Sequence, residues 1–171
     1  SHTLTAADWQ SLAQESELRF VARYEDQPLD GLFRRFSVTV TADEPGLAPT
    51  GLRVEVDVAS ADMNDREIND ELTQADWFYT ERFPQAVFQS DRIVEDGKGM
   101  LLATGTLQLK GRRHETSVPF SWRVEGDRAE LSGKTVLSRL SWNIGAGEWA
   151  SDEPIADTVE LEFRVVLQAR D

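Results

Sequence analysis

Apolar and polar residues alternate with period two along most of this chain, the pattern of strands that bury one face. The clearest run is C-terminal, where Val159, Leu161, Phe163, Val165, Leu167 and Ala169 alternate with Glu160, Glu162, Arg164 and Gln168. The same spacing recurs in Leu52, Val54, Val56 and Val58 against Arg53, Glu55 and Asp57. It appears again in Val118, Phe120, Trp122 and Val124, and in Leu32, Phe36, Val38 and Val40. The alternation predicts eight strands, near 16–24, 32–42, 51–60, 86–95, 99–110, 114–125, 128–142 and 158–170. Turn residues fall between many of them: Asp30-Gly31, Gly46 with Pro45 and Pro49, Asp96-Gly97, Gly111 and Gly126-Asp127. Short connections imply antiparallel neighbours. Eight such strands with one apolar face close most naturally into a barrel, which removes exposed edges.

Two stretches depart from this period. Leu4 to Ala13 reads as a short amphipathic helix with Thr5 as its N-cap, within an N-terminal arm of residues 1–15. From Asn64 to Trp77, Asn64 can cap, Glu67 takes the capping-box position, and Ile68, Leu72 and Ala75 recur at helical spacing. This second helix interrupts the long connection between the third and fourth strands, so it is expected across one mouth. The expected fold is all-β: an eight-stranded antiparallel lipocalin-like barrel with a short helix over one mouth and a short N-terminal helix. A single domain is expected over residues 1–171, a length that suits one barrel better than two cores.

Composition narrows the chemistry. The net charge is −13, from 31 acidic against 18 basic residues. Such a field repels phosphate backbones, so no nucleic acid partner is expected. No apolar run approaches the roughly 20 residues of a membrane-spanning helix. With no cysteine, disulfides, thiolate zinc sites and cysteine nucleophiles are excluded. The Ser1-His2 start, without methionine, is expected to be a scar on a mature chain, from which any natural signal peptide would already have been removed. That leaves His114 as the one histidine for a Ser-His-Asp triad, and it lies beside a turn, far from any nucleophile-elbow motif. No phosphate-binding glycine loop is present, and His114 with carboxylates lacks ligand spacing, so neither catalysis nor a metal is expected. The basic run Lys110-Gly111-Arg112-Arg113-His114 straddles a predicted hairpin and reads as an exposed tip.

The stretch from Val54 to Ser90 resembles the YceI-like family of polyisoprenoid-binding barrels. Its carriers are a strand ending in Ala59-Ser60, Arg66 followed by Leu72, the pair Trp77-Phe78, and Phe83-Pro84 leading into Phe88 and Ser90. Gly31-Leu32-Phe33, Gly105-Thr106-Leu107 with Gly111, and Leu140-Ser141-Trp142-Asn143-Ile144-Gly145 match as well. The tail Gly147-Glu148-Trp149-Ala150 resembles a subgroup found beside membrane cytochromes. One departure is Glu67, where the family often has Asp after the arginine. The resemblance implies a periplasmic or secreted barrel that sequesters a long isoprenoid, either a quinone such as ubiquinone or a polyprenyl phosphate. The partner it implies is a membrane cytochrome or other redox protein, and it admits a homodimer.

Candidate ligand-binding residues follow from both lines. Phe20, Phe36, Phe88, Phe120, Trp122, Trp142 and Phe163 lie on expected strands, where they either pack a core or line a cavity. Trp77, Phe78, Phe83 and Trp149 lie in connections, where they either form an apolar entrance or plug that end. Arg66 and Arg139 are the candidate head-group donors, each also suited to a structural ion pair. The function expected is a lipid carrier. Its rival is a non-catalytic interaction module with a side-chain-filled barrel docked on a redox or secreted partner.

Overall fold

The computed structural model describes residues 7–44 and 46–170. Three pairs of short strands each occupy one position in the wall: β1 (Ala7–Ser11) with β2 (Glu17–Tyr24), β3 (Gln27–Phe33) with β4 (Phe36–Ala42), and β5 (Pro49–Asp57) with β6 (Ala61–Asp62). Five longer strands complete it: β7 (Gln85–Glu95), β8 (Leu101–Leu109), β9 (Arg112–Glu125), β10 (Arg128–Ser138) and β11 (Thr158–Arg170). The order runs β1-β4-β5-β7-β8-β9-β10-β11, and β11 returns to β1 through Leu167 opposite Ser11. All pairs are antiparallel, so the chain forms a closed eight-position barrel. At the other end β2, β3 and β6 continue the wall beside the first half of β11.

The three paired positions break at Leu12–Ser16, Arg34-Arg35 and Val58–Ser60. A break strands backbone donors and acceptors that must find partners, and serines supply them. Ser11 Oγ accepts from Val38 N at 2.9 Å. Ser16 Oγ accepts from Val166 N at 3.0 Å and donates to the Leu12 carbonyl at 2.8 Å. Ser60 Oγ accepts from Arg35 N at 3.0 Å and donates to the Asp57 carbonyl at 2.6 Å. Each break also shifts the strand's phase, so Trp9 and then Phe20, or Phe33 and then Phe36, face inward.

Beyond the breaks the barrel divides. One end is packed solid: Trp9, Val40, Phe120 and Leu167 are at most 1% exposed. There Trp122 meets Trp9 edge to face with ring centroids 5.5 Å apart. The opposite end carries α1 (Arg66–Leu72), followed by turns through Trp77 and Phe78, and stays open inside.

Several local expectations are corrected. Residues 7–11, expected as helix, form β1, because Trp9 fills the floor while Asp8 faces out, a period of two. Thr5 lies outside the described residues. The cap of α1 is Asp65, whose carboxylate accepts from Ile68 N at 3.1 Å; Asn64, with φ +58°, turns the chain just before it. The first hairpin turns at Glu25-Asp26, both with positive φ, rather than at Asp30-Gly31. Gly31 sits inside β3 because the Phe20 ring lies where its Cβ would be. The last β10 residue is Ser138, after which residues 139–142 tighten into a 3₁₀ turn. Lys110, expected at an exposed tip, is 8% exposed and its ammonium donates to the Asn143 carbonyl at 2.7 Å.

Candidate functional site

Inward-facing aliphatic residues of the wall enclose three adjoining chambers along the barrel. The innermost, about 120 Å³, rests on Phe88, Leu131 and Val165 and is walled by Phe36, Val54, Val118 and Phe163. The middle one, about 130 Å³, shares Leu18, Val56, Ala86, Leu107, Leu137 and Leu161 with it and adds Phe33, Phe78 and Trp142. The mouth chamber, about 430 Å³, shares Phe20, Phe78, Arg139, Ile144 and Val159 with the middle one. It opens beneath Ile68 and Leu72 of α1, with Trp77 and Trp149 on its wall. Ligand pockets run to about 300–1,000 Å³. The mouth alone reaches that size, and the two inner chambers extend it toward the floor.

The rim is held by Arg139, which is 5% exposed. Its Nε donates to the Ala156 carbonyl at 3.0 Å. Nη1 donates to Ile144 and Trp149 carbonyls at 2.8 and 3.0 Å, and Nη2 to those of Ser151 and Ile155 at 2.8 and 2.7 Å. Five donors thus meet five carbonyls of the 144–156 connection. Burial lowers the pKa of this guanidinium, opposed by Asp157 and Asp152. Gly145, at φ +95°, leaves the space that Nη1 occupies. The guanidinium also lies 5.7 Å over the Trp77 ring, and Trp77 packs on Trp149 at 5.7 Å. The Asp76 carbonyl accepts from Gly145 N and Ala146 N at 2.7 Å each, tying this connection to the segment after α1. Burial likewise pushes the Lys110 ammonium below the usual lysine value, opposed by Asp76.

Nine of the candidate residues line the chambers. Phe36, Phe88 and Phe163 border the inner one; Phe20, Phe78 and Trp142 the middle; Trp77 and Trp149 the mouth; Arg139 both outer chambers. Phe120 and Trp122 belong to the solid floor instead. Phe83 lies outside the bore against Tyr79, Arg82 and Gly111. Arg66 is exposed on α1 and borders none of the three chambers. Arg139 reaches the site, but its donors are taken by carbonyls, so it shapes the rim without a free hydrogen bond. Sequence reasoning passed over the aliphatic lining of Leu18, Val56, Ala86, Leu107, Leu137 and Leu161. Their signal is inward phase with small or aliphatic side chains, which aromatic counting overlooks.

A closed antiparallel barrel with a packed floor, an apolar bore and a helix at its open end is a ligand-binding barrel of lipocalin type. The YceI-like domain family matches residues 9–167, and the chain belongs to that family. It is 36% identical over 140 residues to protein YceI of Escherichia coli, covering 77% of this chain and 73% of that one. Against a relative from Vibrio campbellii it is 29% identical over 126 residues and spans 65% of that protein's length. The crystal structure of Burkholderia cenocepacia BcnA superimposes with a TM-score of 0.85 at 30% identity, covering 91% of this chain and 98% of that one. A polyisoprenoid binding domain from Saccharophagus degradans, implicated in plant cell wall breakdown, shares the fold. Its TM-score is 0.71 at 15% identity, over 98% and 100% of the two chains.

Proposed function

We propose that this protein binds and sequesters a long isoprenoid lipid, tail inward, in the bore. The observation that carries this reading is the run of three adjoining apolar chambers from the mouth to the floor. Family membership and the polyisoprenoid binding neighbour support it. The tail dominates recognition. Burial contributes about 0.8 kcal/mol per CH₂, so a five-carbon unit adds several times the roughly 1 kcal/mol of a neutral hydrogen bond. Isoprenoid quinones such as ubiquinone and polyprenyl phosphates share that tail. Storage or delivery of such a lipid in the periplasm, in support of a membrane cytochrome or other redox partner, is the role that fits it. A binding rather than catalytic role accords with the apolar bore.

The rival reading, a filled barrel serving only as a docking module, draws on the solid floor of Trp9, Phe120 and Trp122. It describes one half of the molecule and leaves the other half unexplained. Organic extraction of the purified protein with mass spectrometry decides between them. A co-purified isoprenoid in near-stoichiometric amount is expected, with affinity rising with tail length until the bore is full. An empty protein that is also indifferent to tail length would overturn the carrier reading.

A further inference from the structure

We propose that the lipid tail enters and leaves the bore sideways, through a seam in the wall between β9 and β10, rather than being threaded end-on past the mouth. This rests on the carrier reading and adds to it the route of exchange. The two strands pair from Glu125 opposite Arg128 to Ser121 opposite Ser132, and there their ladder stops. Among the described residues, β9 before that point pairs only with β8, down to Arg112 opposite Leu109. Likewise β10 after it pairs only with β11, as far as Ser138 opposite Thr158. The edges of residues 115–119 and 134–138 therefore face each other without the ladder bonds that hold the joints on either side.

A proline is the local cause. The Pro119 carbonyl points at Gly133 and takes the place a Cβ there would need. Within an antiparallel strand a residue's N–H and C=O point to the same neighbour, so Pro119 nitrogen also faces β10, and it has no hydrogen to donate. The seam is pinned at its ends, by the Ser121 and Ser132 hydroxyls at 2.8 Å and by His114 Nε2 with the Ser141 carbonyl at 2.7 Å. Between them one side-chain hydrogen bond crosses among the described residues: Thr135 Oγ1 donates to the Ser117 carbonyl at 3.5 Å, long for a hydroxyl. Parting the seam breaks that contact, whereas parting either neighbouring joint breaks a run of backbone bonds. The inner chamber lies directly behind, lined by Thr116 and Val118 from one side and by Thr135 and Leu137 from the other. Val136, between the last two, points outward and is 57% exposed, an apolar lip before an apolar chamber. A tail entering there meets the inner chamber at once, while one entering at the mouth must first pass Phe78 and Trp142 in the middle chamber.

The chain has no cysteine, so Ser117→Cys with Val136→Cys places a lone thiol pair on the two lips. Both positions are exposed, and they stand opposite each other in the register continued from Ser121 and Ser132. Oxidation, or a short reagent joining two thiols, then staples the seam without entering the chamber. Release of geranylgeranyl acetate into phosphatidylcholine vesicles is followed by the fluorescence of Trp77 and Trp149. Stapling is expected to slow it about tenfold, as closing a gate slows exchange, with equilibrium affinity unchanged and the rate restored when the disulfide is reduced. Pro119→Ala returns an N–H to the seam and should slow release about fivefold, the value of one backbone hydrogen bond, again at constant affinity. Release indifferent to the staple and to Pro119→Ala assigns exchange to the mouth, which overturns the side route and leaves the carrier intact. A staple that lowers affinity without slowing release overturns it too. If geranylgeranyl acetate binds neither wild type nor variants, the carrier reading itself falls.

Discussion

Ala86 projects from β7 into the wall shared by the inner and middle chambers, where it is 6% exposed beside Val56 and Val58. Ala86→Leu adds three carbons there. At about 30 Å³ per methylene-sized group, the share a water takes in the liquid, they fill about 90 Å³, most of a chamber of about 120 Å³. The tail then loses space for about three groups, on the order of 2–2.5 kcal/mol of gross burial at about 0.8 kcal/mol each. Ordering the tail offsets part of that, which leaves an expected weakening of about tenfold for tails that reach the floor. Tails that end in the mouth chamber should bind unchanged. Titrating prenyl compounds of increasing length against both proteins, read by fluorescence of Trp77 and Trp149 at the mouth, should show the variant's plateau one unit earlier. Phe120→Ala is the reciprocal control. It excavates the floor and should cost about 3–5 kcal/mol of stability without moving the plateau. If Ala86→Leu keeps the wild-type plateau and affinity for the longest tail, the inner chambers are not where the tail goes.

Two further outcomes test the rim. Arg139→Lys should cost about 3 kcal/mol, because three donors on a point charge cannot serve five carbonyls. Thermal denaturation should register it as a fall in Tm on the order of 6–12 °C. Asp62 accepts from Asn64 N and the Asn69 side chain and pairs with Arg34, and these contacts lower its pKa from 3.8 to about 2. A depressed carboxylate stabilises the fold above its unfolded pKa and loses that contribution as pH falls through the folded value. The melting-temperature difference between wild type and Asp62→Asn should therefore be full above about pH 4 and shrink toward pH 2; a constant difference refutes the assignment.

The period of two was enough to read the eight wall positions, because burial on one face marks alternate residues along stretches such as the start of β7 and much of β11, even though a bulge between Ser90 and Arg92 breaks the alternation in β7. It misled at residues 7–11, where five residues are too few to separate strand from helix and the neighbour that decides the matter, Val40 opposite Trp9, is remote in sequence. It was silent on the breaks at Leu12–Ser16, Arg34-Arg35 and Val58–Ser60, since a change of phase between two short strands looks locally like either strand alone. Those breaks decide which half of the barrel is filled. Trp9 sits before its break and Phe20 after it, so both face inward yet one fills the floor and the other borders the bore. Aromatic residues therefore mark burial in general and the chambers only beyond the breaks. A sharper mark is an inward aliphatic residue that stays half-buried, as Val54, Leu107, Leu137 and Leu161 do, because its missing neighbours are the volume a ligand would supply. That mark exists only once the strands are closed on one another. The family resemblance could thus point to a lipid, and only the closed wall could say where its tail would lie.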